Sequence, residues 1–224
     1  MAISVVQSVS GGQGTATLNF SSPVTTGNSV ILIPQGYNSG TTSSSPTYNG
    51  STPTGSTVLA QLTSNGTYYV YSGIWLMPNL TGGSTGTGIT ITSGGTNGYT
   101  AVEVSGLGSA PQLDVNGGYS IGNGATSNTG MPSGSTPALS ASSALLIGTG
   151  AAYGVGSYTT PGGWTNLPFA SYSCVQYQIV TGAAGNTYNY NPSGGSAVWG
   201  SIIVAITQAP AASNAMGTAF LNFF

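Results

Sequence analysis

Glu103 and Asp114 are the only formally charged side chains in a chain of 224 residues that has no Lys, Arg or His. Polar chemistry is left to these two carboxylates, the single thiol of Cys174 and 13 tyrosines. Two carboxylates are the minimum for a glycosidase, which sets them about 5 Å apart when retaining and farther apart when inverting. A structural role is expected instead. In Tyr99, Ala101 and Glu103 the alternation of a strand puts Glu103 on one face, with Asp114 beyond a turn. A carboxylate so placed accepts backbone N–H bonds across a loop. A calcium site would want more carboxylates than two.

Several function classes are excluded by what the chain lacks. Without histidine there is no Ser-His-Asp or Cys-His arrangement, and one cysteine cannot build a thiolate zinc site. Without Lys or Arg, neither phosphate cradles of the usual kind nor counterion-releasing contacts to nucleic acid are available. No catalytic, metal-ligating or cofactor-binding residue is assigned, and no cofactor is expected. Cys174 lies in the strand pattern Ser173-Cys174-Val175-Gln176-Tyr177. It has no partner for an internal disulfide and is expected to be a buried small hydrophobe, the other use being an intermolecular disulfide.

The aromatics remain. Tyr68, Tyr69, Tyr71 and Trp75 share one strand, while Tyr37, Tyr48, Tyr153, Tyr158, Tyr188 and Tyr190 fall in or beside loops. Core packing and subunit contact are their ordinary uses, since tyrosine buries a large area and its hydroxyl needs one partner. Exposed tyrosines among Asn and Gln would suit stacking on sugar rings, and Tyr37, Tyr48, Tyr188 and Tyr190 are the candidate glycan contacts. The four Asn-x-Ser/Thr sequons, at Asn19, Asn49, Asn65 and Asn79, are what chance supplies in so Asn-, Ser- and Thr-rich a chain.

The elements that must position these residues have a period of two. Strands are expected at residues 16–20, 30–33, 67–76, 88–92, 99–104, 144–147, 172–180 and 197–206. The run Val30-Ile31-Leu32-Ile33 ends at Pro34 and reads as a strand covered on both faces. Asn49-Gly50, Asn65-Gly66, Asn97-Gly98 and Asn116-Gly117 are tight-turn signals. Residues 36–55, 122–136 and 148–168 read as long loops, and no segment has a capped helical pattern. Short strands with Gly, Pro and Asn punctuation predict an all-β, antiparallel sandwich with long Gly/Ser/Asn loops. A hydrophobic fraction of 39% with 13 Tyr and 3 Trp favours folding over disorder. No internal repeat is evident, so one domain over 1–209 is expected. Residues 210–224 form an apolar tail, in which Phe220, Leu221, Phe223 and Phe224 either fold back on the core or dock on a neighbouring subunit by adding a strand or filling a groove.

The order Val102-Glu103-Val104-Ser105-Gly106-Leu107, Pro111-Gln112-Leu113-Asp114, Leu145-Leu146-Ile147-Gly148, Gly163-Trp164-Thr165 and Ala197-Val198-Trp199 resembles jelly-roll-type β-sandwich domains. Such domains occur in phage virion proteins and secreted bacterial surface proteins, and the resemblance covers residues 2–207. It implies a jelly-roll-like winding. Those relatives carry ordinary charge, so the near absence of charge is a departure, and the segment beyond residue 207 has no counterpart.

Lack of charge carries the functional expectation. Low net charge removes the repulsion that keeps soluble proteins apart, which suits a subunit that packs against copies of itself. A chain without Lys or Arg also offers no site to trypsin-like proteases. A non-enzymatic, extracellular structural subunit is expected, on a virion surface (capsid decoration, fibre or tail) or in a secreted filament. A carbohydrate-binding adhesion module is the alternative. Partners are copies of itself or other coat proteins, with carbohydrate as the other candidate and no nucleic acid. The first residues show no classical signal peptide, and no apolar run is long enough for a membrane-spanning helix.

Overall fold

The computed structural model describes residues 2–12, 16–37, 46–64, 70–83, 88–91, 98–124, 130–152, 157–169, 173–193 and 198–208. Among them there are strands and no helix. The first half of the chain gives β1 (Ser4–Gly11), β2 (Ala16–Asn19), β3 (Ser29–Tyr37), β4 (Thr47–Tyr48), β5 (Thr57–Ser64), β6 (Val70–Met77), β7 (Gly88–Ile91) and β8 (Gly98–Ser105). The second gives β9 (Pro111–Leu113), β10 (Tyr119–Gly124), β11 (Ser143–Ala152), β12 (Thr165–Asn166), β13 (Ser173–Thr181) and β14 (Trp199–Gln208).

These strands form two large antiparallel sheets and a small one. The first large sheet has the order β1-β8-β3-β6-β5 and the second β10-β14-β11-β13-β12, with β9 also pairing with β14. Numbered by chain order within each sheet, both read 1-5-2-4-3. The second strands match in sequence as well: Ser29-Val-Ile-Leu-Ile-Pro-Gln35 in β3 and Ser143-Ala-Leu-Leu-Ile-Gly-Thr149 in β11. Two halves of one chain thus repeat one strand order. Each large sheet comes from one half, so the chain passes between them once, after β8. The antiparallel sandwich is as expected. The repeated back-and-forth between facing sheets that marks a jelly roll is not the route of the described strands.

The sheets meet face to face. Ile31, Ile33, Ile74, Leu76, Val102 and Val104 of the first pack with Leu145, Ile147, Val175, Ile202, Val204 and Ile206 of the second. Each such side chain contributes about 1.5–3 kcal/mol when fully buried, so this layer is a major source of stability. The outer faces are covered too. Over the first sheet, the small sheet β2-β7-β4 and its loops lay Leu18, Val24, Tyr48, Leu80 and Ile89 on Val30, Leu32, Met77, Tyr99 and Ala101. Over the second, Met131, Leu139, Ala183 and Tyr190 lie on Ala144, Leu146, Cys174, Val180 and Ala205. Burial on both faces is why the central strands read as unbroken apolar runs.

Two local features differ from expectation. Strand β3 does not end at Pro34 but runs on to Tyr37, with Pro34 paired to Tyr99 of β8. Its missing N–H is tolerated because the ladder to β6 is interrupted between Leu32↔Trp75 and Gln35↔Ser72. The supposed loop 36–55 holds β4, and 148–168 holds the end of β11 and all of β12. Asn49 (φ 52) and Gly50 (φ 78) do form the expected tight turn, with both central residues left-handed.

Candidate functional site

Glu103 points to the outer face of the first sheet, as alternation required, and is fully buried. Its Oε1 accepts from the Thr25 backbone N–H at 2.9 Å and from Asn28 Nδ2 at 2.6 Å. Its Oε2 accepts from Gln7 Nε2 at 2.6 Å. Gln7 stands at an irregularity of β1 and also holds the loop: its Oε1 accepts from the Ser22 N–H and the Ser21 hydroxyl. Glu103 and Gln7 together fasten the segment leading into β3 onto the outer face of the β1–β8 ladder.

Asp114 does the same for the second sheet. It sits in the break between β9 and β10 and is also buried. Its N–H donates to the Ala205 carbonyl at 3.0 Å, fixing it beside β14. Its carboxylate accepts from the N–H groups of Asn116, Ser140 and Ala141, at 3.1, 3.1 and 3.2 Å, and from the Ser140 hydroxyl at 2.8 Å. Ser140 and Ala141 lead into β11. Burial pushes this carboxyl up, but the bonds from Ser140, Asn116 and Ala141 outweigh it and hold Asp114 below the usual carboxylate range. Each carboxylate is therefore engaged by its own loop on its own sheet, through neutral donors only. Among the described residues no group of three or more His, Cys, Asp or Glu is placed to hold a metal ion.

The tyrosines expected at a sugar surface are placed otherwise. Tyr190 is fully buried against Gly148 of β11, where an added Cβ would stand 2.4 Å from the Tyr190 ring. Its hydroxyl lies 3.2 Å from the Cys174 sulfur, and Trp164 tilts over its ring at a centroid distance of 4.8 Å. Cys174 is a free, buried thiol, as expected, which burial pushes up to about 12. Burial likewise raises Tyr158, whose hydroxyl accepts from the Ala152 N–H, and Tyr190. Tyr48 is buried between the small sheet and the first large one. Tyr190 therefore has no ring face to offer a sugar, since its faces are used in packing, whereas Tyr48 packs on the first sheet and also borders an open cleft. Tyr188 is half-buried against the same outer layer as Trp164. Tyr37 closes β3, and its side chain lies outside the described residues, as do Phe220, Leu221, Phe223 and Phe224.

Open surface that could receive a partner is concentrated where the two sheets join. The connection after β8 runs between two clefts that share Gly106 and Gln208. One, of about 620 Å³, is lined by Thr25, Thr26, Asn28, Asn79 and Ser109. The other, of about 330 Å³, is lined by Ala2, Ile3, Leu107, Ala141 and Ile179. Both are bounded by the loop leading into a second strand, Thr25–Asn28 in one and Ala141–Ser143 in the other. These are the loops that Glu103 and Asp114 hold. A third cleft, of about 410 Å³, lies beside the Asn49-Gly50 turn and is lined by Tyr48, Pro53, Pro78 and Leu80 with Asn49 and Asn79. Neither carboxylate lines any of the three. None of the known protein families, curated proteins or solved structures compared with the chain matches it.

Sequence reasoning singled out both carboxylates but missed their partners. Gln7, Asn28 and Ser140 are ordinary polar residues in a chain full of them, and nothing in their spacing marks them. The signal that could have found the loops is positional: each pair of donors lies within four residues of a strand that begins with Ser, at Ser29 and Ser143.

Proposed function

We propose that the protein is a non-enzymatic structural subunit of an extracellular assembly, most plausibly on a virion surface as capsid decoration, fibre or tail, with a secreted filament or coat as the second setting. One observation carries this reading. Both formal charges are buried and bonded inside the molecule, and no other residue is charged, so no charged side chain is presented to solvent. With a net charge of only −2 such a surface carries little colloidal repulsion, and close approach of identical copies desolvates no charged side chain. The resemblance to virion and surface β-sandwich domains supports the same setting.

The two carboxylates are assigned to architecture and not to hydrolysis, because their lone pairs are spent on loop donors. A sugar-binding module has less support, since Tyr190 lends its ring to packing and Tyr48 is largely buried. Electron microscopy of the purified protein, with light scattering on the same sample, tests the proposal. Ordered filaments, sheets or closed oligomers are the expected result. A clean monomer across the accessible concentration range would remove self-assembly and make a glycan array the next experiment.

A further inference from the structure

Of the two clefts at the sheet junction, the smaller is the one with large aliphatic side chains in its lining. Ile179 in it is 38% exposed, and Ile3 and Leu107 stand beside it. Ala2 and Ile3 are seated here by Gly106 (φ 80): a Cβ there would stand 2.1 Å from the Ala2 carbonyl oxygen, so only glycine lets the two segments touch. Gln208, the last residue of β14, forms part of the rim, and residues 209–224 leave from it. That segment carries Phe220, Leu221, Phe223 and Phe224 and no charge.

We propose that this cleft is the seat for residues 220–224 of a second copy of the chain. The inference rests on the self-assembly reading and names its contact. A cleft without charge that offers Ile3, Leu107 and Ile179 favours an apolar occupant, and residues 220–224 supply an uncharged segment dense in Phe and Leu. Length allows the segment to reach a second copy. The aromatic cluster begins 12 residues beyond Gln208 (220 − 208), a reach of up to roughly 40 Å when extended. The radius of gyration expected for a chain of this size is only about 17 Å. A segment meant for the cleft at its own root would need a few residues, whereas this one carries its apolar group far enough to reach another molecule. Because root and cleft adjoin on every copy, two copies can exchange segments reciprocally across a two-fold axis, which closes the contact as a dimer.

The test is photo-crosslinking in the full-length protein with p-benzoylphenylalanine in place of Phe223, using a mixture of isotopically heavy and light copies and chymotryptic mapping, since trypsin has no site. The expected crosslinks join a heavy copy to a light one and fall on residues 2–3, 106–107, 141–143 or 179–181. Ile179→Glu, at a half-exposed position, should keep the thermal midpoint and reduce the crosslink roughly tenfold or more. Crosslinks within one copy, crosslinks mapping elsewhere, or an unchanged yield in Ile179→Glu would each overturn the proposal. Electron microscopy of the same samples separates the two levels. Assemblies that persist without the cleft crosslink leave the structural reading standing and remove only this contact, while monomers at every concentration remove both.

Discussion

Gln35 and Thr149 are the seventh residues of the second strand of their respective sheets, and their side chains hydrogen-bond to each other between the two sheets. Gln35 Nε2 also donates to the Cys174 carbonyl at 3.0 Å, and the Ser72 hydroxyl pairs with that of Thr149 at 3.0 Å. The repeated strand order thus has a counterpart in the core, where equivalent positions of the two halves touch. In an otherwise apolar layer this polar bridge fixes the register of one sheet on the other, because a shift of either sheet would strand buried donors.

That bridge predicts a non-additive pair. Thr149→Val leaves Gln35 and Ser72 each short of a partner and should cost about 1–3 kcal/mol. Gln35→Met removes the donor and should cost about the same or less. The double variant should be more stable than the sum of the two losses predicts, with a coupling of about 0.5–3 kcal/mol in urea denaturation. Simple additivity would mean that the two side chains do not meet.

The carboxylates predict a second effect. Asp114→Asn replaces an acceptor by an amide that must face the N–H groups of Ser140 and Ala141, and Glu103→Gln does likewise at Thr25 and Asn28. Hydrogen bonds to a charged group are worth about 1.5–3 kcal/mol, so each variant should lower the thermal midpoint by roughly 4–10 °C in a domain of this size. Glycan hydrolysis should be absent in the parent and in both variants. Measurable glycosidase activity that either substitution abolished would return the carboxylates to catalysis.

How much of this was legible in the sequence depends on the contrast each residue makes with its neighbours. Residues 30–33, 144–147 and 197–206 read as strands, and 30–33 as one covered on both faces, because their apolar runs are nearly unbroken where both faces of a sheet are covered; the last strand observed is Trp199–Gln208. Strands β1, β5 and β10 were not read: they lie at sheet edges and mix Ser, Gln, Thr and Gly with their apolar residues. The repeat was hidden for a related reason. The matching strands β3 and β11 share only the pattern of Ser followed by four small or apolar residues, and two of the four other strand pairs, β1 with β10 and β5 with β12, are edges. Of the candidate site, the structural role of the two carboxylates was legible from their scarcity. The glycan role of Tyr190 misread loop position as exposure, since in this fold the loops themselves form the outer covering layers.

Dependence on pH follows from the same inventory. The carboxyl of Asp114 is held below its usual range in the fold, so its stabilisation is present above about pH 4 and is lost as pH falls through the folded-state value. Cys174 behaves oppositely. Its thiol is pushed up to about 12, so the folded state keeps the proton longer than the unfolded chain does. That contribution is complete below about pH 8.5 and declines as pH rises towards 12, joined above about pH 10 by the buried Tyr158 and Tyr190. The thermal midpoint should therefore be flat between about pH 5 and 8 and move by less than about 10 °C between pH 3 and 8. It should fall above pH 9. Scanning calorimetry across this range checks it, and a steep change near pH 6–7 would contradict the titration scheme.

The contact of Gly148 with Tyr190 offers the sharpest single-residue test, because two effects of opposite sign compete there. In a strand, replacing glycine by alanine ordinarily stabilises by about 0.5–1 kcal/mol through the unfolded chain. At Gly148 the new methyl would stand 2.4 Å from a ring that is fully buried and cannot swing away. Overpacking of this kind costs about 1–3 kcal/mol, so Gly148→Ala should be destabilising on balance. Tyr190→Ala removes the obstacle at a cost of about 3–5 kcal/mol for the cavity. In that background Gly148→Ala should become neutral or stabilising, since the methyl then enters vacated space. A reversal of sign between the two backgrounds, read by urea denaturation, would establish that the second sheet is closed on its outer face by Tyr190. A Gly148→Ala variant that stabilises the unaltered protein would show that this covering layer is looser than a packed core.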